Sequence, residues 1–272
     1  MKEDLSVEIN KMDVKPCLSV ILVGHSNESL SYINMKRRMC EGLGIRFLLK
    51  HFDEDIDEHF LMEEIQKLNE DSTIDGILIQ LPLPANFNKD KLLDQISYEK
   101  DVDGFHTMNA GKIFQNRDIN IIPCTPQGCI DLIDYYEIDV EGLNITIIGT
   151  SNLVGLPLSM LLLQRGATVS LCNIHTKDIK KHTIDADMII TCCGVPKLVK
   201  KDWIKEGIII IDVGINHIKD ENGKKKLVGD VDYEDVYEKC SLITPVPGGV
   251  GPMTVISLIK NLVKLTKLKN SL

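Results

Sequence analysis

The chain is short of aromatic residues, has one tryptophan, and carries no excess of positive charge. It also lacks any long hydrophobic run. A membrane-spanning helix needs about 20 consecutive apolar residues, and stretches such as Ile208-Ile-Ile-Ile211 stop far short of that. No basic segment followed by an apolar one stands at the start, so no secretory signal is expected. With 31 Lys and Arg against 40 Asp and Glu, the formal net charge is −9. Nucleic acid is therefore not an expected partner, because phosphate binding calls for a basic surface. The eight cysteines show neither CxxC nor Cys/His ligand spacing, so no metal site is expected. Cys192 and Cys193 are adjacent, which hardly permits an ordinary disulfide. Cysteines used as small apolar residues point to a reducing compartment, and a cytoplasmic location is the expectation.

What is present is a regular alternation of short apolar runs and helical patterns. The 272 residues suffice for one large or two modest domains with full cores. Leu18–Gly24, Ile45–His51 and Asp75–Gln80 read as strands, with helices over Ser29–Leu43 and Asp57–Asn69. After a polar, proline-bearing stretch from Asn116 to Pro126 and a helix over Thr125–Tyr136, a second set begins. Its strands are Asn144–Gly149, Ala167–Cys172, Asp187–Cys192 and Gly207–Val213. Continuous Val/Ile/Leu strands separated by helices predict parallel sheets in an α/β protein. Residues 1–120, joined by a returning helix at 252–272, are expected to form one domain, and 121–251 a Rossmann-like nucleotide domain. Lys224–Lys226 is expected in a solvated hairpin.

The stretch Thr244-Pro-Val-Pro-Gly-Gly-Val-Gly-Pro-Met-Thr254 stands out by composition. Gly248, Gly249 and Gly251 can take backbone angles closed to other residues and admit a ligand close to the main chain. The prolines stiffen the path, and Pro252 suits the first turn of a following helix. A rigid interdomain connector is the plain alternative.

Two constellations carry chemistry. Gly149-Thr-Ser-Asn-Leu-Val-Gly155 joins a strand to an apolar helix, the place where pyrophosphate meets free backbone N–H groups and the positive end of the helix dipole. Ser151 and Asn152 could cap that helix or bind phosphate oxygens. The spacing is not GxGxxG, and a structural turn is the competing reading. Where a ribose-reading residue belongs, after the second strand, stands Cys172-Asn-Ile174-His-Thr-Lys177 with no acidic residue. NAD and NADP both stay open on that ground.

The second constellation begins with Tyr32 and Lys36, which share a helix face at i, i+4. A phenol beside an amine in a dry site makes a group able to move protons near neutral pH; a solvated Lys36-Arg37-Arg38 patch is the alternative. Gln80 ends a buried strand at the sheet edge where α/β folds place ligands. Asp101 and Asp103 share a turn that has an ordinary structural explanation, and His106 alone reads as structural.

Seven motifs in order resemble the methylenetetrahydrofolate dehydrogenase/methenyltetrahydrofolate cyclohydrolase family. They are Ser29-x-x-Tyr32-x-x-x-Lys36, Asp75-Gly-Ile-Leu-Ile-Gln80-Leu-Pro-Leu-Pro84, Lys100-Asp-Val-Asp-Gly-Phe105 and Pro123-Cys-Thr-Pro126. Gly149-x-Ser-x-x-Val-Gly155-x-Pro157, Asp212-Val-Gly-Ile-Asn216 and Thr244–Thr254 complete the set, which covers nearly the whole chain. The resemblance implies two domains with a cleft between them and two consecutive reactions on one folate. 5,10-Methylenetetrahydrofolate is oxidised with a nicotinamide cofactor, and the methenyl product is hydrolysed to 10-formyltetrahydrofolate for one-carbon metabolism and purine biosynthesis. It implies Lys36 as the essential lysine, Gln80 as its partner, Tyr32 against the folate rings and Asp103 on the pterin edge. Pro247, Gly248 and Gly249 would line the folate. Gly149, Thr150 and Ser151 would hold phosphates, while Ile174, Cys193, Gly194, Ile215 and Thr254 complete the cofactor side. It further implies a homodimer joined through the nucleotide domain, and NADP as cofactor, with NAD possible.

The chain departs from the family in four places. The family's usual opening segment, before the helix leading to the first strand, is expected to be missing. Ile174 stands where many NADP-dependent members have a basic or hydroxyl residue, Thr150 where some have arginine, and Glu28 where alanine is common. Three other readings compete. A short-chain dehydrogenase also uses Tyr-x-x-x-Lys, but there the pair follows the glycine turn, whereas Tyr32 precedes Gly149 by a domain. A dehydrogenase without cyclohydrolase activity would not need Lys36. A non-catalytic nucleotide sensor would not need Lys36, Gln80 and Asp103 together.

Overall fold

The computed structural model describes residues 1–219 and 223–270, which divide into two units. Met1–Cys124 and the segment from Val255 onward form the first, and Thr125–Thr254 the second. The first edge falls at Cys124 rather than residue 120 because Ile121 and Cys124 are buried in the first unit's core. The second falls at Thr254 rather than 251. There the Thr254 hydroxyl bonds to the Thr125 hydroxyl (3.3 Å), and the Met253–Thr254 backbone lies close to Gly128 of the same unit.

In the first unit the order is α1 (Lys2–Asn10), β1 (Cys17–Val23), α2 (Asn27–Gly42), β2 (Arg46–Phe52), α3 (Glu58–Glu70), β3 (Gly76–Ile79), α4 (Lys89–Gln95) and α5 (Thr107–Gln115). The strands pair in parallel in the order β2-β1-β3, so β1, buried at every position, is the centre. The edge strand β2 keeps exposure at alternate positions. The C-terminal helix (Val250–Asn270) returns to this unit and sets Leu258, Ile259, Leu262 and Val263 among Ile9, Leu18, Val20, Leu22 and Ile33. Gly76 is required by that packing: a Cβ there would lie 2.2 Å from Val102 Cγ1 and 2.8 Å from Leu262 Cδ1.

The second unit opens with α6 (Cys124–Tyr135), whose first residue belongs to the first unit. Then come β4 (Asn144–Ile148), α7 (Gly155–Gln164), β5 (Thr168–Cys172), β6 (Met188–Thr191) and β7 (Ile208–Asp212). A hairpin of β8 (Asn216–Lys219) and β9 (Lys225–Val228) follows, and β10 (Cys240–Ile243) adds a fifth strand that the apolar pattern did not reveal. The sheet is wholly parallel in the order β10-β7-β6-β4-β5. Chain order reverses between β4 and β6. Open α/β sheets bind ligands at the carboxyl ends of strands at such a switch point.

The proline-glycine run differs from expectation in detail. The last helix starts at Val250, so Gly251 is helical, Pro252 is in the first turn, and Thr254 lies one turn in. Only Gly248, at φ +106°, takes a left-handed backbone; Gly249 instead closes a turn through its N–H to Pro245 O at 2.9 Å. No helix among the described residues is long and apolar enough to cross a membrane.

Candidate active site

In the first unit α2 begins at Ser26, whose Oγ accepts the Ser29 N–H, and its buried residues Ser29, Ile33, Lys36 and Cys40 form one stripe. Lysine is almost never found in such a stripe without a partner. Lys36 is 9% exposed and its Nζ donates to Gln80 Oε1 at 3.0 Å. The solvated-patch reading is thereby corrected: Arg38 alone of the three is exposed, and Arg37 lies over the Phe47 ring at 5.4 Å. Gln80 follows β3 at the carboxyl edge of the sheet, where its N–H donates to Ile21 O (2.8 Å) and its Nε2 to Leu81 O (2.7 Å). With Nε2 committed to a carbonyl, Oε1 is left to face the ammonium. Tyr32 stands one turn before Lys36, half-buried; burial, with the Glu28 charge, pushes its phenol above the ordinary value. It is a neutral donor at physiological pH.

The two carboxylates of the 101–106 turn have separate jobs. Asp101 is buried and folds the turn, accepting from Gly104 N (3.0 Å), His106 N (2.8 Å) and Asn109 Nδ2 (2.9 Å). His106 caps α5 through Nδ1 to the Met108 N–H at 2.9 Å, so it is structural. Asp103 is spared this work. Burial pushes its carboxyl upward, against the opposing pull of the nearby Lys36 charge. Its side chain retains partial solvent access, so the push is weaker than full enclosure would give. A further residue supports it. Asn261, buried on the C-terminal helix, donates through Nδ2 to Val102 O (2.9 Å) and Ile122 O (2.8 Å), fixing the main chain immediately before Asp103. The signal in the sequence was a polar residue at a core position, three after Leu258 and four before Leu265.

In the second unit the strand-to-helix turn is built by close approach. Gly149 has φ +123°, and a Cβ on it would lie 2.5 Å from Cys192 O, so the loops after β4 and β6 touch. A Cβ on Gly155 would lie 1.9 Å from Gly149 O. No side chain caps α7, whose N-cap is Val154; Ser151 Oγ accepts the Val154 N–H (3.2 Å) within the turn instead of capping the helix, and Asn152 is exposed. The Leu156 N–H turns back to Ser151 O (3.1 Å) and Pro157 carries no N–H, so what this uncapped helix end behind a glycine turn offers a phosphate is chiefly its positive potential. Thr150 is half-buried and Ser151 exposed. Gly194, at φ +70°, has nothing within 4 Å of where a Cβ would sit, so the loop after β6 borders open space. This cradle fits a dinucleotide. Ile174 is 92% exposed beyond β5 and Ile215 is 44% exposed beyond β7. The Thr254 hydroxyl is engaged with Thr125 and with Val250 O (3.3 Å), so it does not stand free at a helix start. In the proline-glycine run Gly248 has open space where a Cβ would be, and Pro247 follows a cis peptide.

One pair of residues escaped the sequence reading as side chains. Asp212 and Asp230 are buried at the carboxyl edge of β7, held by main-chain N–H groups. Burial pushes the Asp212 carboxyl up, while hydrogen bonds from Val231, Asp230 and Thr191 pull it back.

Comparison with known proteins agrees with this architecture. The model of the tetrahydrofolate dehydrogenase/cyclohydrolase catalytic domain matches residues 1–103, and that of the family's NAD(P)-binding domain matches 123–270. A curated relative from Aquifex aeolicus, "Bifunctional protein FolD", is 49% identical over 273 residues, covering 99% of this chain and 92% of its own. The crystal structure of the bifunctional enzyme FolD, methylenetetrahydrofolate dehydrogenase/cyclohydrolase, from Campylobacter jejuni superposes with a TM-score of 0.94 at 46% identity, covering 100% of this chain and 95% of that one. The Trypanosoma brucei methylenetetrahydrofolate dehydrogenase-cyclohydrolase, solved with NADP cofactor and an inhibitor, gives 0.94 at 31% identity over the same shares. With both domain models matched in order and relatives this similar over nearly its full length, the chain belongs to the tetrahydrofolate dehydrogenase/cyclohydrolase family.

Proposed function

We propose that this chain oxidises 5,10-methylenetetrahydrofolate with NADP and then hydrolyses the methenyl product to 10-formyltetrahydrofolate. The observation that carries the hydrolytic half is the buried Lys36–Gln80 pair, an ammonium group kept in a core stripe and oriented by an amide; the glycine turn before α7 supports the oxidative half. When bound, the nicotinamide supplies the acceptor for the hydride leaving the methylene carbon. The chain supplies alignment. Asp103 takes the amino-pyrimidine edge of the pterin in a two-point hydrogen bond, as a carboxylate does well. Tyr32 lies along the folate rings and screens Lys36 from bulk water.

For the hydrolytic step, water adds to the methenyl carbon, one carbon–nitrogen bond opens, and one proton is released. Lys36 Nζ, held by Gln80 Oε1, is the group placed to hold and move that proton. Pro247, Gly248 and Gly249 border the folate, Gly248 offering main chain with no side chain in the way. In the second unit Gly149, Thr150 and Ser151 hold the phosphates at the uncapped end of α7. Cys193, Gly194, Ile174 and Ile215 flank the rest of the dinucleotide, and Thr254 supports that side through its bond to Thr125. A homodimer joined through the nucleotide unit, in the cytoplasm and feeding purine biosynthesis, belongs to the same reading; light scattering tests the dimer. The activity itself is tested with purified protein, methylenetetrahydrofolate and NADP. Formation of reduced nucleotide followed by 10-formyltetrahydrofolate is expected. Accumulation of the methenyl compound with no faster decay than in buffer refutes the hydrolytic half.

A further inference from the structure

Asp212 and Asp230 are two buried carboxylates at the edge of one sheet, and no lysine or arginine among the described residues pairs with either. Such groups persist only when hydrogen bonds replace the lost water. Asp212 Oδ1 accepts the Thr191 hydroxyl (2.9 Å), Gly214 N–H (2.9 Å) and Asp230 N–H (3.0 Å), and its Oδ2 accepts Val231 N–H (2.9 Å). Its own N–H donates to Thr244 Oγ1 at 2.8 Å. Asp212 thereby ties the ends of β6 and β7 and the start of the proline-glycine run to the segment after β9 that carries Asp230. Asp230 reaches the other way. Its Oδ2 accepts Cys193 N–H (2.8 Å) and Gly194 N–H (3.1 Å), and its Oδ1 accepts Asn216 Nδ2 (2.8 Å).

The main chain is shaped around both groups. A Cβ on Gly229 would lie 1.8 Å from Asp212 Oδ2, and one on Gly214 would lie 2.3 Å from Asp230 Cγ. The loop after β6 and the segment after β7 are thus referred to a single carboxylate. These are the segments that present Gly194 and Ile215 to open surroundings. We propose that Asp230, itself fixed by Asp212, is the positioning residue that holds the Cys193–Gly194 turn and the Ile215–Asn216 segment as one preformed cradle for the dinucleotide. The proposal rests on the reading that those segments meet the cofactor. Asp230 touches neither substrate nor cofactor in this scheme. Its effect is on how much ordering the cofactor must bring about when it binds.

The test uses the full chain and both activities, because hydrolysis of the methenyl compound needs no nucleotide and reports an intact first unit. Asp230→Ala orphans two N–H groups and is expected to raise KM for NADP about tenfold or more, with the cyclohydrolase rate unchanged. Asp230→Asn keeps an oxygen for the two N–H groups, and the Asn216 amide can turn to accept from it, so this variant is expected to recover most of the affinity. A KM for NADP that stays at the wild-type value in Asp230→Ala, with only thermal stability lowered, overturns the proposal. Should Asp230→Ala fail to fold, Asn216→Ala breaks one link without orphaning a backbone group; an unchanged KM there overturns it equally. Gly194→Ala separates the two layers: its methyl group enters the open space, and the left-handed backbone at φ +70° adds strain that thermal unfolding reads separately from KM. If it leaves KM for NADP unchanged, the cofactor reading of that turn falls. If it raises KM while Asp230→Ala does not, only the positioning role falls.

Discussion

Lys36→Met is the sharpest single perturbation, since Met follows the lysine side chain out to Cε and lacks the ammonium group. The variant loses the 3.0 Å bond to Gln80 Oε1 and the charge beside Asp103. Leaving the buried Gln80 oxygen without its donor costs about 1–3 kcal/mol. Relief from burying a charge offsets part of this, so the fold should survive with a melting temperature lowered by a few degrees. The chemical loss is larger. Proton handling by a positioned group contributes about 10²–10⁴-fold, or roughly 3–5 kcal/mol of barrier. Cyclohydrolase activity, followed as decay of the methenyl compound without nucleotide, should fall by at least about 10²-fold. Hydride transfer, followed as NADP reduction, should fall far less, because alignment by Asp103 and the nucleotide cradle remains. Unimpaired hydrolysis refutes the role of Lys36. Equal loss of both activities in a folded variant refutes the division of labour between lysine and cofactor.

Three other outcomes follow from the same geometry. Burial raises the folded-state value of Asp103, so its carboxylate is lost at a higher pH than an ordinary aspartate's as pH falls. KM for the folate should therefore rise on acidification from above the usual carboxylate range, and Asp103→Asn should flatten that profile while weakening binding throughout; a flat wild-type profile contradicts the assignment. Gly155→Ala would place a Cβ 1.9 Å from Gly149 O, forcing the turn to move by more than an ångström. Overpacking of this kind costs about 1–3 kcal/mol; KM for NADP should rise with hydrolysis intact, and a loss of hydrolysis instead would contradict the separation of the two sites. Parallel assays with NAD and NADP should favour NADP, and a clear preference for NAD would instead give meaning to the apolar, exposed Ile174.

Much of this was legible because the decisive residues break local patterns. Lys36 sits in an apolar stripe, Gln80 ends a run of Ile and Leu, and Gly149 and Gly155 punctuate a strand-helix junction. The strands were found within a residue or two because short apolar runs between helical patterns, continuous in β1, β3 and β7 and interrupted in β2 and β5, admit few other uses. Cys240-Ser-Leu-Ile243 escaped because it is four residues long and nowhere fully buried, so it carries no apolar run. Asp230 escaped for another reason: two of its partners are main-chain N–H groups, which leave no side-chain signature. Only the flanking Gly229 and Gly214 betray it, and their meaning depends on distances that no spacing rule supplies. The extent of the last helix was misjudged because proline at its third position does not prevent the helix from starting two residues earlier.

The return of the last helix also sets an order of assembly. Leu258, Ile259, Leu262 and Val263 fill the space among Ile9, Leu18, Val20 and Leu22, which were synthesised more than two hundred residues before. Thr125–Thr254 is contiguous and holds its own five-stranded sheet. During synthesis that part can therefore close first, while the earlier segment waits with apolar surface uncovered. The first unit to be translated is the last to be finished, and until it is, the nascent protein has a nucleotide fold but no completed housing for Lys36.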